Sequence, residues 1–131
     1  MLLVEDDPDT AEVLEMSLEA SGYDVIVAQS GRAALEMDLE PLDLVVSDIG
    51  LPDMTGHDLL RALHKTRKIP AIALSGYGTE RDIRASNNAG FVSHLTKPVE
   101  LDALVRAIQK AMMSPVKAGS AKRSQERRRR R

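Results

Sequence analysis

Apolar runs of strand length occur at residues 2–4, 25–28, 44–46, 71–74 and 91–95, and a segment with helical signals follows each one. The first such segment opens with Asp7 as N-cap and Pro8 at the first helical position, carries Ala11, Leu14 and Leu18 on one face, and stops at Ser21-Gly22. Ser30 can cap the second helix. Gly56 precedes the third, whose inner side holds Leu59, Leu60 and Leu63. Thr79 with Asp82 resembles a capping box for the fourth, which Gly90 ends. The fifth is the clearest: Leu101, Leu104, Val105, Ile108 and Met112 keep the spacing of a buried stripe, and Ser114-Pro115 terminates it. By contrast residues 80–88 offer only Ile83 and a few alanines, which predicts thin packing and a helix easily shifted.

Five βα units with short links imply a parallel sheet covered on both faces, since right-handed crossovers put helices on each side. The expected architecture is α/β and doubly wound, a flavodoxin-like five-stranded sheet of order 2-1-3-4-5. In that order the chain reverses between strands one and three, and ligands bind in the crevice at such a reversal. Glu5, Asp6 and Asp48 end those two strands.

Composition narrows the chemistry. The chain has 131 residues, enough for one compact domain, which we place at 1–114. It has no cysteine, so disulfides, thiolate nucleophiles and cysteine-ligated metals are excluded. No apolar stretch approaches the ~20 residues of a membrane-spanning helix, no signal peptide is visible, and a cytoplasmic location is expected. The net charge of −2 hides an asymmetry: residues 1–116 carry 10 basic against 19 acidic side chains, a net −9, and the remainder is basic. The segment 115–131 is low in complexity, lacks aromatics and is expected to be a disordered tail. The acidic body argues against nucleic-acid binding; only Lys122, Arg123, Arg127, Arg128, Arg129, Arg130 and Arg131 offer a weak electrostatic contact to a phosphate backbone or membrane surface.

Within 45–56 (VVSDIGLPDMTG) Asp48 is carried out of a hydrophobic strand into a turn. At least two of Glu5, Asp6 and Asp7 should face it, and several close carboxylates stay ionised only beside a cation. All-oxygen ligands favour Mg²⁺, or Mn²⁺, over zinc. Ser75 and Lys97 follow the fourth and fifth strands at the same edge. A hydroxyl and an ammonium aimed at one crevice suit the oxygens of a phosphoryl group, with Asp48 as acceptor forming an acyl phosphate.

LLVEDD, VVSDIGLPDMTG, ALSG and HLTKP, in this order and spacing, resemble the receiver domains of two-component response regulators over about residues 1–113. By that resemblance Asp48 is the phosphorylation site, Asp6 and Asp48 bind Mg²⁺ directly, Glu5 binds through water, and the backbone carbonyl of Gly50 adds a ligand. Ser75 follows the phosphoryl group on activation, Lys97 is its counter-ion, and Lys97-Pro98 is a cis peptide. The resemblance implies a phosphohistidine donor on a histidine kinase or histidine phosphotransfer protein. It also implies output through a downstream protein or a covalently linked domain, via a face built from the fourth helix, fifth strand and fifth helix, where a homodimer could also form. Such a module is not an enzyme beyond catalysing its own phosphorylation and dephosphorylation.

The chain departs from the pattern at four places. His94 stands where the family usually has an aromatic switch residue; we expect it to toggle in that place and to make output pH-sensitive, the alternative being a solvent-facing side chain. Gly50 and Tyr77 occupy positions that in the family influence hydrolysis. The first strand starts at Met1, shorter than usual, which suggests the C-terminal receiver of a hybrid sensor kinase.

Plainer roles are expected elsewhere. Asp7 is a cap rather than a ligand, Asp53 and Asp58 are solvated acids, His57 and His64 are surface residues, Met16 and Met112 fill the core, and Pro52 and Gly56 shape the loop after Asp48. Two other functions compete with the switch. A pseudo-receiver would act as an interaction module without taking up phosphate, which the full set Glu5, Asp6, Asp48, Ser75 and Lys97 argues against. A phosphatase of the haloacid-dehalogenase kind needs a second acid two residues after the nucleophile, where this chain has Gly50.

Overall fold

The computed structural model describes residues 1–113. The Ser114-Pro115 stop, the boundary at 114 and the basic tail lie outside the described residues. Strands and helices alternate: β1 (Leu2–Val4), α1 (Pro8–Ala20), β2 (Ile26–Ala28), α2 (Gly31–Leu35), β3 (Val45–Asp48), α3 (Gly56–His64), β4 (Ala71–Ser75), α4 (Glu80–Ala89), β5 (Ser93–Thr96) and α5 (Leu101–Met112). The strands form one parallel sheet of order β2-β1-β3-β4-β5, as the alternation predicts.

Strand residues alternate between two cores, one on each face of the sheet. Leu2, Val4, Val45, Ala71 and Ala73 pack with Leu59, Leu60 and Leu63 of α3 and Ala89 of α4. Leu3, Val46, Ile72 and Leu74 point the other way, onto Leu18 of α1 and Leu104, Ile108, Ala111 and Met112 of α5. Burial on both faces explains the apolar runs of the inner strands β1, β3 and β4, whereas the edge strands β2 and β5 are less buried, and β5 (Ser93–Thr96) begins later than the apolar run at 91–95.

Local signals set the helix ends. Asp7 caps α1 by accepting from the Thr10 N–H, with Pro8 inside the first turn. Ser30 accepts from the Ala33 N–H at the start of α2. Thr79 and Asp82 form the reciprocal capping box of α4, and Gly90 closes it with φ 112°, a left-handed conformation that glycine adopts without strain.

Three expectations need correction. Gly56 is the first residue of α3 rather than its prelude, and Thr55 is the cap, accepting from the Asp58 N–H. Met16 does not fill the core: it is 62% exposed, because it sits two residues from Leu18 and so points away from the Ala11–Leu18 stripe. Leu101, in the first turn of α5, is also exposed, and Ala111 takes part in the buried stripe instead. The thin packing of α4 is borne out: its buried residues are Ser86 and Ala89, and Ile83 is largely exposed.

Candidate functional site

The C-terminal ends of β1 and β3 lie side by side, with Val4 opposite Ser47, so Glu5, Asp6 and Asp48 emerge at one edge of the sheet. One carboxylate oxygen from each of the three lies within 4.8 Å of the others. Glu5 and Asp48 are buried and Asp6 is exposed, so the cluster is a pocket floored by two carboxylates with a third at its mouth. The Asp7 carboxylate takes no part, being committed to Thr10 through both the backbone and the hydroxyl, while its backbone N–H donates to Glu5 Oε2 at 3.1 Å. The hydrogen bonds to Thr10 hold its carboxyl below the ordinary carboxylate range.

β4 and β5 complete the edge. Asp48 pairs with Leu74 and Ser75 with Thr96, which sets Ser75 one step beyond Asp48 and brings Lys97 in from the far side. The Lys97 N–H donates to the Ser75 carbonyl (2.7 Å), and the peptide bond to Pro98 is cis. The Lys97 ammonium reaches back across the crevice to Glu5 Oε1 (2.8 Å) and Asp48 Oδ2 (3.1 Å). Partial burial works to lower its pKa, but the hydrogen bonds to Glu5 and then Asp48, with their charges, outweigh it and hold it above its ordinary value. One lysine thus sets a single positive charge against the two buried carboxylates of the cluster.

Ser75 is buried, and its Oγ accepts the Tyr77 N–H at 3.0 Å, which leaves its own hydrogen to donate. Gly50 lies at the rim, its backbone bridged to Thr55, with open space where a side chain would be. His94 is half-buried and both of its ring nitrogens have partners: Nε2 lies 2.8 Å from the Tyr77 carbonyl and Nδ1 2.7 Å from Ser86 Oγ.

Two plainer roles also change. Asp53 is not merely solvated; its carboxylate accepts the Gly31 and Arg32 N–H groups at 2.9 and 2.8 Å, fastening the loop after Asp48 onto the start of α2. The Arg32 and Gly31 amides lower its pKa. His57 and His64 are half-buried rather than on the surface: His57 Nε2 approaches Ser86 Oγ, and His64 Nε2 approaches the Ile69 carbonyl at 2.9 Å. Partners 29 residues apart are invisible to periodicity, so Ser86 was missed; a buried serine in a helix with few apolar residues is the only local hint. Asp58 is exposed and pairs with Arg61.

Beside the crevice a largely apolar groove of about 620 Å³ is lined by Asp9, Val13 and Leu14 of α1 and by Lys97, Pro98 and Val99 of the β5–α5 link. Val13 is 63% exposed on its outer wall.

The family model for the response regulator receiver domain matches residues 1–109, and the chain belongs to that family. It is 42% identical over 113 residues to an uncharacterized 14.6 kDa protein in the sodA1 3′ region of Leptolyngbya boryana, covering 83% of this chain and 86% of that one. It is 38% identical over 111 residues to the transcriptional regulatory protein CpxR of Escherichia coli, covering 82% of this chain but only 48% of that protein. Among solved structures, a CheY-like receiver domain protein from Methanospirillum hungatei superposes with a TM-score of 0.74 at 33% identity, covering 83% of this chain and 89% of that one. The chain is therefore a receiver module of two-component signal transduction, a class of signalling domains rather than stand-alone enzymes. Receiver domains bind Mg²⁺ at an acidic pocket and interact with histidine kinases or phosphotransfer proteins and with effector domains. No helix among the described residues is long and apolar enough to cross a membrane.

Proposed function

We propose that this receiver accepts a phosphoryl group on Asp48 from a phosphohistidine of a histidine kinase or phosphotransfer protein, and that Glu5, Asp6, Ser75 and Lys97 serve that transfer. The observation that carries the reading is the Lys97 ammonium held between Glu5 and Asp48, which sets a positive charge beside the carboxylate that would attack. An ionised Asp48 is a nucleophile. Its free oxygen attacks phosphorus, the new O–P bond forms, the P–N bond breaks, and the electron pair returns to the donor's imidazole nitrogen.

The donor set fits Mg²⁺, or Mn²⁺, because it is all oxygen and offers few carboxylates, leaving coordination positions for water and phosphoryl oxygens. Asp6 and Asp48 would bind the ion directly, Glu5 through water, and Gly50 through its carbonyl. When bound, the ion neutralises phosphoryl oxygens as charge builds on them. Lys97 can then turn from Asp48 to a phosphoryl oxygen, and the Ser75 hydrogen is available to another. Movement of Ser75 would carry the change to α4 and β5, the face that signals to a downstream protein or linked domain.

The test is intact mass after incubation with Mg²⁺ and acetyl phosphate, beside Asp48→Asn. A single labile phosphoryl adduct on the wild type, absent from the variant, is expected. No adduct under conditions where Mg²⁺ binding is demonstrated would point to an interaction module that does not take up phosphate.

A further inference from the structure

Ser86 lies in α4 with no exposed surface, where α3, α4 and β5 meet. Its Oγ is 2.7 Å from His94 Nδ1 and 3.3 Å from His57 Nε2, and His94 Nε2 is 2.8 Å from the Tyr77 carbonyl. A carbonyl oxygen only accepts, so His94 Nε2 must carry the hydrogen. While the ring is neutral its Nδ1 is then bare, and it takes the single hydroxyl hydrogen of Ser86. The Ser86 oxygen is left to accept from His57 Nε2–H. Burial, with the charge of Arg61 adding to it and those of Asp58 and Asp82 opposing it, keeps the His57 pKa below its ordinary value. The His57 ring also stands edge-on to Phe91, with centroids 6.3 Å apart.

The chain of donors therefore runs one way, from His57 to Ser86 to His94 to the Tyr77 carbonyl. It does not stop there, because the same Tyr77 residue donates its N–H to Ser75 Oγ. A continuous path joins α3 and α4 to the hydroxyl beside Asp48.

We propose that Ser86 and His57 are positioning residues for the phosphorylation switch: by fixing one tautomer of His94 they hold the Tyr77 backbone, and through it Ser75, in the resting arrangement. The inference rests on the reading of Asp48 as phosphoacceptor. Movement of Ser75 toward a phosphoryl group breaks the hold of Tyr77 N–H and pulls the Tyr77 carbonyl from His94. The latch then opens at its α4 end, where Ser86 and Ala89 are the buried residues. A ligand-free latch of this kind biases the equilibrium toward rest, and weakening it shifts the population toward the activated arrangement.

The experiment pairs long-range ¹H–¹⁵N spectra of histidine-labelled protein with the rate of adduct formation from acetyl phosphate and Mg²⁺, for wild type, Ser86→Ala, His57→Leu and His57→Gln. The wild-type spectrum should show His94 protonated at Nε2 with a bare, hydrogen-bonded Nδ1, and in Ser86→Ala the Nδ1 shift should move to that of a nitrogen accepting no hydrogen bond. Adduct formation should accelerate about three- to tenfold in Ser86→Ala, as expected for the loss of one resting-state hydrogen bond, and by less in His57→Leu. His57→Gln, which keeps an N–H donor toward Ser86, should restore the wild-type rate. An Nδ1-protonated His94 in the wild type, or unchanged rates in both Ser86→Ala and His57→Leu, overturns the proposal. Absence of any adduct on the wild type overturns the phosphoacceptor reading and the switching role with it, whereas the histidine spectra then still decide whether the chain exists.

Discussion

A single methyl group at residue 56 would press on the backbone of Asp48 itself. The Gly56 N–H donates to the Ile49 carbonyl at 2.8 Å, drawing the first turn of α3 against the end of β3. A Cβ there would lie 2.5 Å from the Asp48 carbonyl oxygen and 2.9 Å from Ile49 Cα, both backbone atoms that cannot swing aside. Gly56→Ala should therefore push α3 away from the Asp48 peptide and cost on the order of 1–3 kcal/mol, measured by urea unfolding, with slower adduct formation as the acceptor is displaced. Gly50 is the contrast: a Cβ there meets nothing within 4 Å, so Gly50→Ala should leave stability nearly unchanged. In the sequence the two glycines look alike, as parts of one loop after Asp48. What separates them is the packing of α3 on the strand end, a tertiary distance that no local pattern encodes.

At the scale of the element, three of the helix starts depend on ionised aspartates, one of them not foreseen. Asp7 caps α1, Asp82 closes the capping box of α4, and Asp53 fastens α2 from a loop more than 20 residues away in the chain. The first two were legible because the cap and its helix are neighbours in sequence. Asp53 was not, because only the pairing of β1 with β3 brings its loop over α2. Each carboxyl sits below its ordinary value of 3.8, through hydrogen bonds to Thr10, to the Arg32 and Gly31 amides, and to Thr79 respectively. The folded pKa is depressed, so the contribution to stability is fully present above the unfolded value and is lost as pH falls through the lower folded value. Urea midpoints of wild type should thus decline on acidification below about pH 4, and the decline should be shallower in an Asp7→Asn, Asp53→Asn, Asp82→Asn triple variant, which has already lost the charged caps at neutral pH. Parallel acid limbs for the two proteins would show that the caps are not ionised in the way their hydrogen bonds imply.

For the whole molecule, the order of strands decides where the chemistry sits and what can reach it. The doubly wound sheet and the gathering of Glu5, Asp6, Asp48, Ser75 and Lys97 at one edge were legible because strand ends follow from alternation alone. The surface around that edge was not, since it depends on which side chains of α1 end up outside the core. Val13 lies exposed beside Leu14, which packs inward, and with Asp9, Pro98 and Val99 it lines a largely apolar groove that Lys97 also borders. On the proposed reading of Asp48 as phosphoacceptor, a small donor such as acetyl phosphate has little use for such a wall, whereas a protein donor, which has to hold its histidine in line with Asp48, could rest apolar side chains on it. Val13→Glu should accordingly slow phosphoryl transfer from a phosphorylated histidine kinase or phosphotransfer protein about tenfold or more, because it places a charge on the wall of an apolar contact. The same variant should accept phosphate from acetyl phosphate at the wild-type rate. Equal slowing with both donors would place the effect in the pocket itself, and no slowing with the protein donor would mean that the donor docks on another face.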